Sequence, residues 1–211
     1  MVEPTNRLER RKRRTRSALV KAAQRLIAEG KVNVPVLEIT QAADVGMGSF
    51  YNHFDSKEQL FEAAVADVLD AYGSMLDRLT ESIEDPAEIF ATSFRLTGRL
   101  FRRRPQESQI LLANGLELLS SERGLGPRAL RDIKAGVAAG RFEVDDPELA
   151  RAMAGGALLG LGNLLRDDPD RDDALAADVV TENVLRLFGL DSAEAHAICQ
   201  RPLPDVGFDE S

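Results

Sequence analysis

Between Val45 and Phe61 the chain reads VGMGSFYNHFDSKEQLF. Ser49, Tyr51, Asn52 and His53 place hydroxyl, amide and imidazole groups close together there, and each can donate or accept hydrogen bonds. A helix built only for stability would hold Ala, Leu or Glu instead, and a Gly such as Gly48 in its interior costs about 1 kcal/mol relative to Ala. The chemistry such a set can do is recognition, because donors and acceptors of these types match base edges and phosphates. The bland alternative is that Gly48 only marks an irregular helix start.

Catalytic and metal chemistry fail on inventory. His53 and His196 are the two histidines, and His196-x-x-Cys199 offers two ligands where a structural zinc needs four. No Ser stands in a nucleophile elbow and no glycine-rich phosphate loop follows a strand. The carboxylates gather in solvated clusters such as Asp167-Asp168 and Asp170 to Asp173. Neither an enzyme nor a cofactor is expected. Cys199 is the single cysteine, which excludes an intramolecular disulfide and fits a reducing compartment. The N-terminal basic run leads into an amphipathic pattern, so neither a signal peptide nor an anchor is expected and the cytoplasm is the expected location.

Charge is unevenly distributed. Residues 1–57 carry 11 Lys/Arg against 6 Asp/Glu, whereas residues 58–211 carry 16 against 29. A basic head on an acidic body suits a protein that presents one surface to a polyanion. The run RLERRKRRTR (Arg7 to Arg16) is then a source of phosphate or minor-groove contacts from Arg7, Arg10, Arg11, Lys12 and Arg13. Alternatively, it is a solvated tail.

These groups need a frame. Leu19, Ala22, Ala23, Leu26 and Ile27 repeat at helical spacing from Thr15 onward, and Gly30 stands where that helix would stop. Val36, Ile39, Thr40 and Ala43 mark a short second helix with Pro35 suited to its first turn. Asp44 falls at a sharp turn, and a third helix is expected from Met47 to about Phe54, with Phe50 and Phe54 facing the core. Two short helices joined by a tight turn behind a basic helix make a helix-turn-helix. Ser56 and Gln59 form a capping box for a fourth helix reaching about Leu79, with Lys57 in its first turn as a phosphate contact.

The run ITQAADVGMGSFYNHFDSKEQLF resembles the signature of the TetR family of bacterial transcriptional regulators through Ile39, Ala42-Ala43, Val45, Gly48, Phe50-Tyr51, His53-Phe54 and Ser56-Lys57. Asp44 replaces the usual Gly and Gly46 the usual Ser or Thr cap, which touches only the detail of one phosphate contact. The resemblance covers residues 10 to about 65. It implies a DNA-binding head (1–56), a helical regulatory and dimerisation body (57–190) and a short helix with a disordered tail (191–211). The expected DNA-binding set is Arg13, Arg14, Arg16, Pro35, Gly46, Met47, Gly48, Ser49, Tyr51, Asn52, His53 and Lys57.

In the body, Asp85-Pro86, Asp146-Pro147 and Asp168-Pro169 read as N-caps followed by a first-turn proline. Helices are expected near 86–103, 105–120, 125–139, 147–166 and 170–189. With no alternating strand pattern the fold class is all-α. The segment between Arg151 and Arg166 holds 14 uncharged residues, short of the roughly 20 that span a bilayer, so no membrane helix is expected. Gly156, Leu159, Gly160, Asn163, Val180, Val184, Leu187 and Phe188 are the expected dimer contacts, since the resemblance implies that the last two long helices pair with a second copy. Burial within one chain is the alternative. An effector cavity beside the fourth helix is expected to be lined by Tyr72, Met75, Phe90, Phe94, Leu111, Asn114, Leu118 and Met153. Asn114 would orient a small apolar effector with one polar end, or else satisfy neighbouring backbone.

The function expected is a ligand-responsive repressor that binds a palindromic double-stranded operator as a homodimer. A DNA-binding regulator or architectural protein without an effector, and a helical protein-interaction module, are the other readings.

Overall fold

The continuous apolar stripes translate into helices and nothing else. A computed structural model describes residues 5–113, 115 and 124–205, and among them every regular element is an α-helix. They are α1 (Thr5–Ala28), α2 (Val36–Ala42), α3 (Met47–Tyr51), α4 (Lys57–Leu79), α5 (Pro86–Arg103), α6 (Pro105–Ala113), α7 (Leu125–Ala138), α8 (Pro147–Asp167), α9 (Asp173–Leu187) and α10 (Ser192–Cys199). Among the described residues no helix is long and apolar enough to cross a membrane.

Leu19, Ala22, Ala23 and Ile27 of α1, Ile39 of α2 and Phe50 of α3 are buried together, with Phe54 just beyond α3. The turn between α2 and α3 places Asp44 at φ 53°, a left-handed conformation that Asp tolerates better than most residues bearing a side chain. The amide of Val45 closes that turn on Thr40 O at 3.0 Å.

Two boundaries differ from the sequence expectation. First, α1 begins at Thr5, not Thr15, so the basic run is a continuation of the head's own helix. No Gly or Pro interrupts it, and Arg, Lys, Glu and Leu are good helix formers; apolar periodicity marks only the half that has something to pack against. Second, α3 ends at Tyr51 instead of Phe54, because the amides of His53 and Phe54 both turn back to Phe50 O, at 2.9 and 3.0 Å.

The capping box appears with a one-residue variation. Ser56 Oγ accepts from the Gln59 amide at 3.2 Å, while Gln59 Oε1 accepts from the amide of Asp55 at 2.7 Å. From this cap α4 runs for 23 residues, about 35 Å. It packs on α1 in the head and on α6 and α7 in the body.

In the body α5 is central, touching α7, α8, α9 and α10. Phe90 packs against Phe142 and Phe188 with ring centres 6.0 and 5.3 Å apart. Asp85 and Asp146 cap α5 and α8 as expected, accepting from Ala87 and from Glu148 and Leu149. Asp168 does not cap α9. It closes the C-terminus of α8, and Asp172 caps α9 by accepting from Leu175 at 2.8 Å. With several aspartates in a row, each a competent cap, dipeptide pattern alone could not select among them.

Arg95 is a charge inside the core, 5% exposed. Its guanidinium grips Asp178 of α9 through Nε (2.8 Å) and Nη2 (3.3 Å), and its Nη1 donates to Arg201 O at 2.8 Å. Arg99 adds a second bond to Asp178 at 2.8 Å. One carboxylate therefore pins α5, α9 and the segment after α10. Asp178→Ala strands two guanidinium groups and should lower the unfolding free energy by about 3 kcal/mol, the low end for a broken buried pair because Asp178 is partly exposed. Equilibrium urea unfolding measures this directly.

Candidate functional site

The head presents α3 outward. Tyr51 is 59% and Met47 45% exposed, Gly46, Gly48 and Asn52 are exposed, and Ser49 and His53 are half-buried. A Cβ added at Gly46 or Gly48 would meet no atom within 4 Å, so nothing inside the subunit requires glycine at either position. Pro35, expected in the first turn of α2, stands one residue earlier as its N-cap. Arg13, Arg14 and Arg16 are exposed on α1, and the Arg16 guanidinium lies 5.1 Å from the centre of the Phe54 ring. Partial burial, and then the charges of Arg16 and Lys12, hold the His53 imidazole below its ordinary range, so it is neutral at neutral pH. Lys57 Nζ donates to Asn33 Oδ1 at 2.9 Å across the outer edge of the head. The structure brings the expected DNA-binding residues to one end of the molecule, on α1, α3 and the start of α4.

The expected effector lining is divided between two spaces. Tyr72, Met75 and Leu111 line an open groove of about 1020 Å³ between α1, α4, α5 and α6. Phe90 and Phe94 line a cavity of about 80 Å³ enclosed by α4, α5, α7 and α8. Met153 is not with them: at 43% exposure it stands on the outer face of α8. Asn114 and Leu118 lie outside the described residues.

The inner cavity has a polar wall that sequence reasoning missed. Arg128 Nε donates to Asp77 Oδ2 (3.0 Å), its Nη1 to Asp70 Oδ1 (2.7 Å) and Gly124 O (2.7 Å), and its Nη2 to Ser74 Oγ (2.9 Å). Arg131 bridges Asp77 (2.8 Å) and Asp132 (2.9 Å). Asp70, Ser74 and Asp77 form one stripe on α4, and Gly73 beside them lets Arg128 lie against the backbone. A Cβ at Gly73 would stand 2.6 Å from Arg128 Cδ. A glycine in the middle of a long helix next to two aspartates was the available signal.

The carboxyls of this wall are pushed in opposite directions. Burial raises the carboxyl of Asp132 above its ordinary value. Burial also raises that of Asp77, but hydrogen bonds from Arg131 and Arg128 outweigh it and the net shift is downward.

The outward faces of α8 and α9 form an apolar surface. Leu149, Leu164, Leu175, Val179 and Leu187 are 44 to 62% exposed, and Gly156 and Gly160 have open space above them. Val184 and Phe188, expected at this face, are instead 4% and 1% exposed in the subunit's own core. The helix α9 is apolar on several sides, and these two residues point inward. Val180 is half-buried against the same core. Leu159 meets Gly115 of the same chain, and Asn163 Nδ2 donates to Leu159 O at 3.0 Å. Cys199 is buried, which pushes its thiol up to about 11, and among the described residues no group of His, Cys, Asp and Glu could hold a metal ion.

Residues 19–64 match the family model of bacterial regulatory proteins of the tetR family, and residues 85–201 match that of the tetracyclin repressor-like C-terminal domain. The chain belongs to the TetR family. The head and body are therefore those of a transcriptional regulator. The fold matches RolR in complex with resorcinol at 33% identity and a TM-score of 0.74, covering 93% of this chain and 98% of that one. It matches RolR without ligand at 33% identity and a TM-score of 0.79, covering 90% and 98%. The HTH-type transcriptional repressor KstR2 of Mycolicibacterium smegmatis is 34% identical over 84 residues, which span 37% of this chain and 41% of that protein.

The opposed carboxyl shifts give a test of the polar wall. A raised folded-state value means that ionised Asp132 costs stability above that value, a cost absent below the ordinary 3.8. A lowered value means that Asp77 stabilises above 3.8, and that this is lost as pH falls through its folded value. Asp132→Asn should therefore raise the melting temperature at pH 7, and the gain should vanish toward pH 3.5, an acidity at which about half or more of such carboxyls are protonated when unfolded. Asp77→Asn should lower it at pH 7. Scanning calorimetry at both pH values checks the pair.

Proposed function

We propose that this regulator is a repressor that binds a palindromic DNA operator as a homodimer and is released by a small molecule held in the inner cavity. The observation that carries the reading is the wall of Asp77, Arg128, Arg131 and Asp132 facing Phe90 and Phe94, built partly on α4, the helix that also packs in the head. An aromatic floor beside paired donors and acceptors suits a single ring bearing hydroxyl groups. The resemblance to RolR, solved with resorcinol, supports that class. It refines the apolar effector with one polar end expected from sequence. The cavity, about 80 Å³, is smaller than the roughly 150 Å³ that takes up benzene in an engineered core. A ring therefore enters by displacing its walls, and α4 is one of them. Ligand binding favours whichever placement of α4 fits the ring, and the heads follow.

On the DNA side, Tyr51 and Asn52 extend from α3 toward base edges, Gly48 leaves room for close approach of the duplex, and Arg13, Arg14 and Lys57 supply phosphate contacts. Operators selected from a random duplex library provide the assay. Resorcinol should dissociate the parent's operator complex. Arg131→Leu should need at least about tenfold more ligand, as loss of a charged hydrogen bond implies, with DNA affinity in its absence unchanged. Asn52→Ala should weaken operator binding more than random-duplex binding. Equal losses on both DNAs, or resorcinol without effect on the parent, would each sink the corresponding half.

Dimerisation is assigned to the exposed stripe of α8 and α9. Because nothing lies within 4 Å of a Cβ at Gly160, Gly160→Leu should leave the subunit folded and separate the dimer, with a circular dichroism spectrum like the parent's. Analytical ultracentrifugation decides: a dimer unchanged at micromolar concentration would move the interface elsewhere.

A further inference from the structure

The inner cavity and the outer groove lie on either side of one side chain. Tyr72, on α4, lines the outer groove together with Val68, Met75 and Leu111, while Leu76, one turn later on the same helix, lines the inner cavity. Tyr72 is 7% exposed, and its hydroxyl is hydrogen-bonded to the side chain of Thr97, which lines the inner cavity from α5. The Thr97 hydroxyl donates its own proton to Ser93 O at 2.7 Å, so the Tyr72 hydroxyl is the donor and Thr97 Oγ1 the acceptor. The two spaces therefore meet at a single aromatic ring latched by one hydrogen bond across the α4–α5 seam. The groove beyond is large, about 1020 Å³, with apolar walls at Val68, Met75, Leu100 and Leu111.

We propose that Tyr72 is the specificity-determining residue of the effector site, a partition that limits the inner cavity to a single small ring. Removing the ring joins the cavity to the groove, and the combined space accepts a ring carrying an alkyl chain. The chain would run past Met75 and Leu111 while the hydroxyls stay on the Arg128 and Arg131 wall. This rests on the effector site proposed above. The latch has a second consequence. Phe at position 72 still blocks the seam but leaves Thr97 without its donor, so size selection follows the ring and not the hydroxyl.

The test uses resorcinol and 4-hexylresorcinol as probes, with calorimetric titration of the full-length protein. The parent should bind resorcinol and bind 4-hexylresorcinol at least about tenfold more weakly. Tyr72→Ala should gain at least about tenfold for 4-hexylresorcinol, since each buried methylene adds to binding, with little change for resorcinol. Tyr72→Leu, which keeps more of the buried contact, should show the same gain in smaller measure should Tyr72→Ala not fold. Tyr72→Phe should keep the parent's order. No gain in either truncated variant, or the same gain in Tyr72→Phe, overturns the partition while leaving the effector site standing. If neither probe binds the parent, the effector reading fails, and xenon-pressurised crystals judge the partition alone. A continuous row of xenon from Met75 to Phe94 in the truncated variant, interrupted in the parent, supports it; the same two separate sites in both overturn it.

Discussion

Everything that links the two halves of this molecule passes the point where Arg128 lies against α4. At Gly73 the helix backbone is bare, and the guanidinium occupies the space a side chain would fill. It is held by Asp70, Ser74 and Asp77, which span two turns of α4. A guanidinium with its donors in a fixed fork is suited to this in a way an ammonium is not. The contact fixes α7 against α4 both in rotation and in height, and α4 is shared with the head. A change at the cavity wall is therefore a change in the seat of the DNA-binding helices, with few intermediate elements to absorb it.

The body achieves the rest of its rigidity by a different route. Asp178 gathers Arg95, Arg99 and, through Arg95, the backbone at Arg201, while Phe90, Phe142 and Phe188 fill the space beside it. The α5–α9 side is thus braced by a buried ion cluster and an aromatic core. The α4–α7 side is braced by a more hydrated polar lattice next to a cavity. Movement on ligand binding is expected where packing is loosest, and the cavity lies on that second side.

How much of this was legible in the sequence depends on how local each signal is. The head was readable because its cues are short: Phe50 and Phe54 four residues apart, Asp44 at the turn, Ser56 and Gln59 at the cap. The starts of α5 and α8 were readable from Asp85-Pro86 and Asp146-Pro147. The start of α9 was not, because Asp168 and Asp172 are equally good caps and only packing chooses between them. The helical reach of the basic run was missed because charged residues carry no periodic apolar stripe. In the cavity, Phe90 and Phe94 were visible as a pair on one face of α5. The polar wall was not, since Asp70 and Asp77 come from one helix and Arg128, Arg131 and Asp132 from another about fifty residues away, and singly each reads as an exposed charge. On α9, apolar residues cover so much of the circumference that period alone could not separate Leu187, which faces out, from Val184 and Phe188, which face in.

The unbroken helix from Thr5 to Ala28 changes what kind of DNA contact the basic run makes. A disordered arm gives up about 1 to 2 kcal/mol of backbone entropy for every residue it orders on the duplex. Here that cost has been met in folding, before any duplex arrives. The arginines are carried on a rod rigidly continuous with the head, so they cannot search for phosphates independently of it. Such a rod behaves as a ruler: its charges fit the duplex only when α3 is seated, and they lift away together when α3 tilts.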